Sequence, residues 1–447
     1  MKKTLKWSGL LLLVVVITAV YFNYPKLNII TGFAAKSVCS CTFVAERDLA
    51  SIENGDNDFK PILYATNTIN EEEQSVTSTI FGLNPRKAIY KKGLGCVLVP
   101  KNNKKEDSRP IPKRDTSAIA LPFPYGNLPQ KDTIFSNINY NALQTAVSNA
   151  FDVPGEKNKR TRAVVVVYNN HIVAEQYASG FNKDIKILGW SMTKSITSAV
   201  LGTLEREGKV DLNQDQLFTE WKDDERANIT LNNLVQMNSG LEWVEDYNKL
   251  SDVTNMLFMD ASMPNVQLSK SLTGSPNASW NYSSGTTNLL SGYMRNQFQS
   301  SQDYMDYWYS ALIDKIGMHS MVVETDYLGN FVGSSYAWAT ARDWSKFGLL
   351  YLHNGNWNGE QILTREWVEY TKTPTPTSNG SYGAQFWLNA GGDFPGVPKD
   401  MFSCNGYQGQ KVSIIPSKDV VIVRFGLTEN PEFDFNGFLS GIISAIE

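Results

Sequence analysis

Ser191 stands three residues ahead of Lys194 in GWSMTKSITSAVLGTLEREGK, residues 189–209. On a helix, residues i and i+3 share a face, so this hydroxyl and ammonium fall within hydrogen-bonding reach. A serine hydroxyl is a weak nucleophile until a neighbour removes its proton. A lysine can do so only where desolvation or nearby cations bring its pKa toward neutrality. Leu188, Trp190 and Ile196 supply apolar surroundings, and a helix N-terminus favours developing negative charge over an ammonium. The pattern is that of a nucleophile with its base at a helix start. Taken alone, S-x-x-K also describes a cap serine followed by a solvated lysine.

Other hydrolase devices are missing from the sequence. There is no G-x-S-x-G, no H-E-x-x-H and no G-x-x-x-x-G-K-[ST], which removes the nucleophile elbow, the zinc protease helix and the phosphate loop. His171, His319 and His353 are the only histidines and are far apart in sequence. A Ser-His-Asp triad has few candidates, and a metal site near the cysteines is poorly supplied. The net charge of −4 gives no basic footprint, so nucleic acid is not an expected partner.

The elements that must position the serine are legible in the apolar spacing. Met192, Ile196, Ala199, Val200, Thr203 and Leu204 recur at helical period, and Gly208 closes that helix. TRAVVVVYNNHIVAEQYASGF reads as a hairpin turning at Asn169-Asn170. TARDWSKFGLLYLHNG predicts a helix with Thr340 as N-cap, Asp343 at its third position and Gly355 at its end. QKVSIIPSKDVVIVRFGL is a second hairpin turning at Ser417-Lys418-Asp419, and FNGFLSGIISAIE a closing helix. Strands at both ends with helices between predict an α+β fold, its antiparallel sheet formed from both chain ends and flanked by helices. This domain is placed at residues 134–447.

Two regions precede it. In residues 1–35, Lys2, Lys3 and Lys6 flank an apolar run from Gly9 to Phe22. That is the pattern of an export signal, or of a membrane anchor through residues 7–22. GFAAKS offers cleavage after Ala34 or Ala35, and the expected location is periplasmic or extracellular. In residues 36–133, short apolar runs give way to a charged, proline-punctuated stretch that reads as a linker or surface-hugging arm. An oxidising compartment permits Cys39 or Cys41 to pair with Cys96, leaving two inert thiols.

Several further stretches occur in a telling order: ITLNNLVQMNSGLEW, WNYSSGTTNLLSGYM, ATARDWSKFGLLYLHNGNWNG, YGAQFWLN and GYQGQKVSIIPSKDVVIVRFG. Together with the Ser191 segment they make residues 160–430 resemble the serine β-lactamase and penicillin-binding-protein superfamily, in its class C-like branch with esterases and 6-aminohexanoate-dimer hydrolases. The resemblance implies a β-lactamase-like fold with a helical subdomain. It puts the first motif on Ser191 and Lys194, and the second on Tyr282-Ser283-Ser284, with Tyr282 as proton shuttle. Ser284 stands where the family has Asn, which predicts a weakened contact to lysine or substrate. The third motif falls on Tyr407-Gln408-Gly409, expected on an edge strand, where the family's cation is missing and Tyr407 is a polar or stacking contact. The backbone N–H groups of Ser191 and Gln410 would form the oxyanion hole. Tyr247 resembles a substrate contact of the amide-hydrolysing branch, although Glu242, Glu245 and Asp246 around it also read as a solvated loop. Cys404, without a base beside it, reads as structural.

The implied function is an exported serine hydrolase that cleaves a small-molecule ester or amide through a Ser191 acyl-enzyme, without a cofactor. A penicillin-recognising D,D-peptidase or β-lactamase and a non-catalytic envelope binding protein are the alternatives.

Overall fold

The computed structural model describes residues 2–100, 108–428 and 432–446. The chain opens with α1 (Lys2–Phe43), an unbroken helix that contains Pro25. It runs across the boundary expected at residue 35. Ala34, Ala35, Val38 and Cys39 are fully buried, so the alanines read as a cleavage option lie inside a packed helix. Among the described residues no helix is long and apolar enough to cross a membrane.

A four-stranded antiparallel sheet packs on the second half of α1: β1 (Ala65–Asn70), β2 (Ser75–Ile80), β3 (Leu83–Lys91) and β4 (Gly95–Leu98), in that order. Cys39 on the helix is bonded to Cys96 on β4, one of the two pairings open to the sequence. Cys41 and Cys404 are buried thiols. Burial pushes both up to about 12, which keeps them protonated and unreactive.

Residues 108–133 form the surface-hugging arm. The Lys113 N–H donates to Asp306 Oδ1 at 2.7 Å, Arg114 pairs with Asp314 at 2.5 Å, and Gln130 exchanges two hydrogen bonds with the Ile172 backbone.

The remaining chain folds around a six-stranded antiparallel sheet. Its hairpin β5 (Thr161–Tyr168) and β6 (His171–Tyr177) turns at Asn169 and Asn170, both at positive φ, as a two-residue loop between twisted strands requires. Three short strands, β7 (Ile187–Leu188), β8 (Val322–Val323) and β9 (Ala337–Ala339), make a separate small sheet. The large sheet is completed by β10 (Trp387–Leu388), β11 (Phe402–Gly406), β12 (Gln410–Ile415) and β13 (Val420–Gly426), in the order β10-β11-β12-β13-β5-β6. The pairing of β13 with β5, Val421 opposite Val167, joins the two ends of the unit as expected.

Side chains alternate across a strand, and both faces of this sheet are covered. Val164 and Val166 join one cluster with Leu143 and Val147 of α2 (Tyr140–Ser148). Val165 and Val167 join another with Ile196 and Val200 of α3 (Thr193–Arg206). That double burial is why β5 reads as an uninterrupted valine run rather than an alternating one. Two helices, α4 (Asp252–Met259) and α5 (Ser284–Arg295), belong to the helical region beside α3. α6 (Ala341–Leu352) begins at Thr340, whose side chain accepts from the Asp343 N–H. At Gly348 a Cβ would meet Val421 Cγ1 at 2.5 Å, so glycine sets how closely α6 approaches the sheet. α7 (Phe435–Ser444) closes the chain on the α2 face.

Candidate active site

The serine is presented by a short turn rather than by the regular helix. Trp190–Met192 form a single 3₁₀ turn leading into α3, and Trp190 has φ 48°. A non-glycine residue held there carries strain that surrounding contacts must impose. The contacts are present: the Gly189 N–H donates to Ala337 O on β9 at 2.8 Å, and Thr193 Oγ1 donates to Trp190 O at 2.7 Å while accepting from the Ala337 N–H at 3.0 Å. The small sheet thereby fixes the backbone on which Ser191 sits.

Lys194 lies one turn on and is 1% exposed. Its Nζ donates to Ser191 Oγ at 2.9 Å, to Ser284 Oγ at 2.9 Å and to the Ser334 carbonyl at 3.0 Å. Among the described residues no carboxylate bonds it directly, and burial dominates and lowers its pKa to about 8, with Glu245 pulling the other way. This is the depressed lysine that a base role requires.

The structure corrects the expectation for Ser284. The hydroxyl does not weaken the contact to the lysine; it makes that contact at full hydrogen-bond strength. Ser284 is buried at the start of α5, where its Oγ donates to Glu245 Oε1 and its N–H to Glu245 Oε2 at 2.9 Å. Glu245 also accepts from Trp243 Nε1 and from the Tyr247 hydroxyl, at 3.4 Å for the latter. The solvated-loop expectation fails for this residue, while Glu242 is exposed and Asp246 pairs with Lys249. Glu245 is the site residue that sequence reasoning passed over, and its only signal was a position two residues before Tyr247.

Tyr282 is beside the pair, with Lys194 Nζ over its ring at 4.8 Å from the centroid. The cation therefore faces the π surface, not the hydroxyl, and phenolate is not favoured. Burial and the Glu245 charge push the phenol well up, offset in part by hydrogen bonding to Ser191 and Trp387. Tyr282 is thus kept protonated, a donor toward Ser191's surroundings rather than a base.

The third stretch also differs from expectation. Tyr407–Gly409 is a turn joining β11 to β12, with Gln408 and Gly409 at positive φ, and not part of an edge strand; the edge of the sheet on this side is β10. The glycine that meets the nucleophile segment is Gly406, where a Cβ would lie 2.1 Å from Gly189 O. Tyr407 stacks on Tyr247, ring centroids 4.8 Å apart at 18°, and both meet Trp190 edge-on. Gln410 is buried, its amide exchanging hydrogen bonds with the Gly426 backbone, so only its main chain is left for an oxyanion role. Lys411 does not replace the missing cation: it is buried between the rings of Phe394 and Phe435, at 4.8 and 4.7 Å.

The fold and this Ser-Lys-Tyr arrangement agree with a match of residues 148–437 to the family model described as Beta-lactamase. This chain belongs to the β-lactamase family. A curated relative, the 6-aminohexanoate-dimer hydrolase of Paenarthrobacter ureafaciens, is 22% identical over 315 residues, covering 63% of this chain and 77% of the relative. A solved Bacillus anthracis structure, provisionally designated a 6-aminohexanoate-dimer hydrolase, is 25% identical with a TM-score of 0.56, covering 64% of this chain and 79% of that one. EstCE1, a hydrolase with promiscuous acyltransferase activity, shares the fold at 12% identity and a TM-score of 0.55, covering 69% and 99%. The family places this chain among serine hydrolases with a β-lactamase-like α+β fold.

Proposed function

We propose that this family member hydrolyses linear amides or esters through an acyl-enzyme on Ser191, on the outer side of a cell membrane. The observation that carries the reading is the Lys194 ammonium, buried without a directly bonded carboxylate and hydrogen-bonded to Ser191 Oγ. In its neutral form Lys194 takes the Ser191 proton as Oγ attacks the carbonyl carbon. The tetrahedral oxyanion is met by the backbone N–H groups of Ser191 and Gln410. Collapse expels the amine or alcohol, which takes the proton that Lys194 received from Ser191, while the Tyr282 hydroxyl stays protonated and donates a hydrogen bond in the site. Water then attacks the acyl-enzyme by the same route, freeing the carboxylic acid and Ser191.

The preference for linear substrates rests on charge. The third stretch carries no exposed cation to hold a substrate carboxylate, and Glu245 adds a negative charge beside Ser284. The curated relative is named as a hydrolase of the 6-aminohexanoate dimer. Export is supported by the basic-then-apolar N-terminus and by the Cys39–Cys96 bond. The test is hydrolysis of p-nitrophenyl butanoate and a linear aminohexanoate amide beside nitrocefin, with wild-type protein and Ser191→Ala. Serine-dependent turnover of the first two with little of nitrocefin is expected; nitrocefin turnover matching the ester overturns the substrate preference.

A further inference from the structure

A cavity of about 320 Å³ lies between α1 and the catalytic unit. Ile29, Ile30 and Phe33 of α1 form one wall, Phe258 of α4 another, and Tyr247 and Tyr407 are shared with the candidate active site. Phe33 also stacks on Trp190, the residue immediately before the nucleophile, with centroids 6.2 Å apart. Lys26, Lys60 and Lys249, all exposed, mark the solvent side. The cavity is lined mainly by apolar side chains and adjoins the nucleophile segment through Phe33, which stacks on Trp190, and through Tyr247 and Tyr407, which meet Trp190 edge-on.

We infer that this cavity is a subsite for an unbranched apolar acyl chain, so that the preferred substrates are medium-chain acyl esters or amides. The inference rests on the Ser191 hydrolase reading and adds the class of acyl group to it. A chain bound there lies along the Tyr247–Tyr407 pair with its carbonyl carbon at Ser191. Burying a methylene is worth about 0.8 kcal/mol, about a fourfold gain in affinity per carbon. One wall comes from a helix outside the residues matched to the family model, so the specificity belongs to this chain's N-terminal region.

The experiment uses the full chain and p-nitrophenyl esters of two to twelve carbons. The expected kcat/KM for the octanoyl ester exceeds that for the acetyl ester by at least tenfold, and this ratio falls to within about threefold of unity in Ile30→Trp and in Ile29→Trp, which fill the cavity. A flat profile in the wild type overturns the inference, as does a steep profile that survives both substitutions. Binding gives a second readout: Ser191→Ala is expected to bind decanoate with a change in tryptophan fluorescence, and Ile30→Trp in the same background to lose it. Decanoate binding without hydrolysis of any ester contradicts the hydrolase reading while keeping the apolar site. Ester hydrolysis without decanoate binding or chain-length dependence overturns the subsite alone.

Discussion

Two buried lysines, one in each half of the molecule, show how similar burial yields different chemistry. Lys36 on α1 is 6% exposed and Lys194 on α3 1%, and burial lowers the pKa of both. Lys36 is bonded directly to the Glu324 carboxylate, which also accepts from Ser40 Oγ, the Cys96 N–H and the Trp338 indole. Lys194 meets two hydroxyls and a carbonyl, and its nearest carboxylate, Glu245, acts from the far side of Ser284. A directly paired ammonium is a strut between elements. One hydroxyl of separation leaves an ammonium that can give up its proton. Between these two lysines, the placement of one carboxylate and the presence of the Ser191 hydroxyl separate a structural ion pair from a candidate base.

The comparison is broken or sharpened by substituting each lysine. Lys194→Met is expected to lower kcat on an ester by about a thousandfold, at the scale of a lost general base, with little change in stability. Lys36→Met leaves Glu324 buried and unpaired, so a loss of about 3 kcal/mol of stability is expected, read by denaturant unfolding, with kcat per folded molecule retained. Equal losses of activity from both would erase the distinction.

The pH dependence is a finer test. Lys194 must be neutral to accept the Ser191 proton, so kcat/KM should rise with pH through about 8 and level off above it. An activity that falls over that interval would assign the base elsewhere. The smallest effect is expected from Glu245→Gln. Removing the carboxylate removes the attraction that raises Lys194, so the inflection should move to lower pH with kcat changed less than about tenfold. A purely structural role for Glu245 would lower stability and leave the inflection in place.

The same contrast explains what the sequence disclosed. Ser191 and Lys194 were legible because their spacing is local, and so were Thr340 as a cap and the Asn169-Asn170 turn, each set by neighbours within a few residues. Glu245 was not, because its partners Ser284 and Lys194 are 39 and 51 positions away, and nothing near it distinguishes a carboxylate held in a hydrogen-bond network from a solvated one. The joining of residues 28–100 to the fold was equally hidden. It depends on the Lys36–Glu324 pair and on an Asp56 carboxylate shared by Arg47 and Arg162, both of which reach across long stretches of sequence. The third stretch misled for a related reason: glycines recur at 406 and 409, and only the packing of Gly406 on Gly189 O selects between them.

The central claim is that Ser191 carries the acyl group, and intact-mass spectrometry of protein quenched during turnover of p-nitrophenyl butanoate tests it most directly. Wild-type protein should gain the mass of one butanoyl group, located by peptide mapping on the segment containing Ser191, and Ser191→Ala should gain none. Turnover without an adduct that persists undiminished in Ser191→Ala would contradict the account.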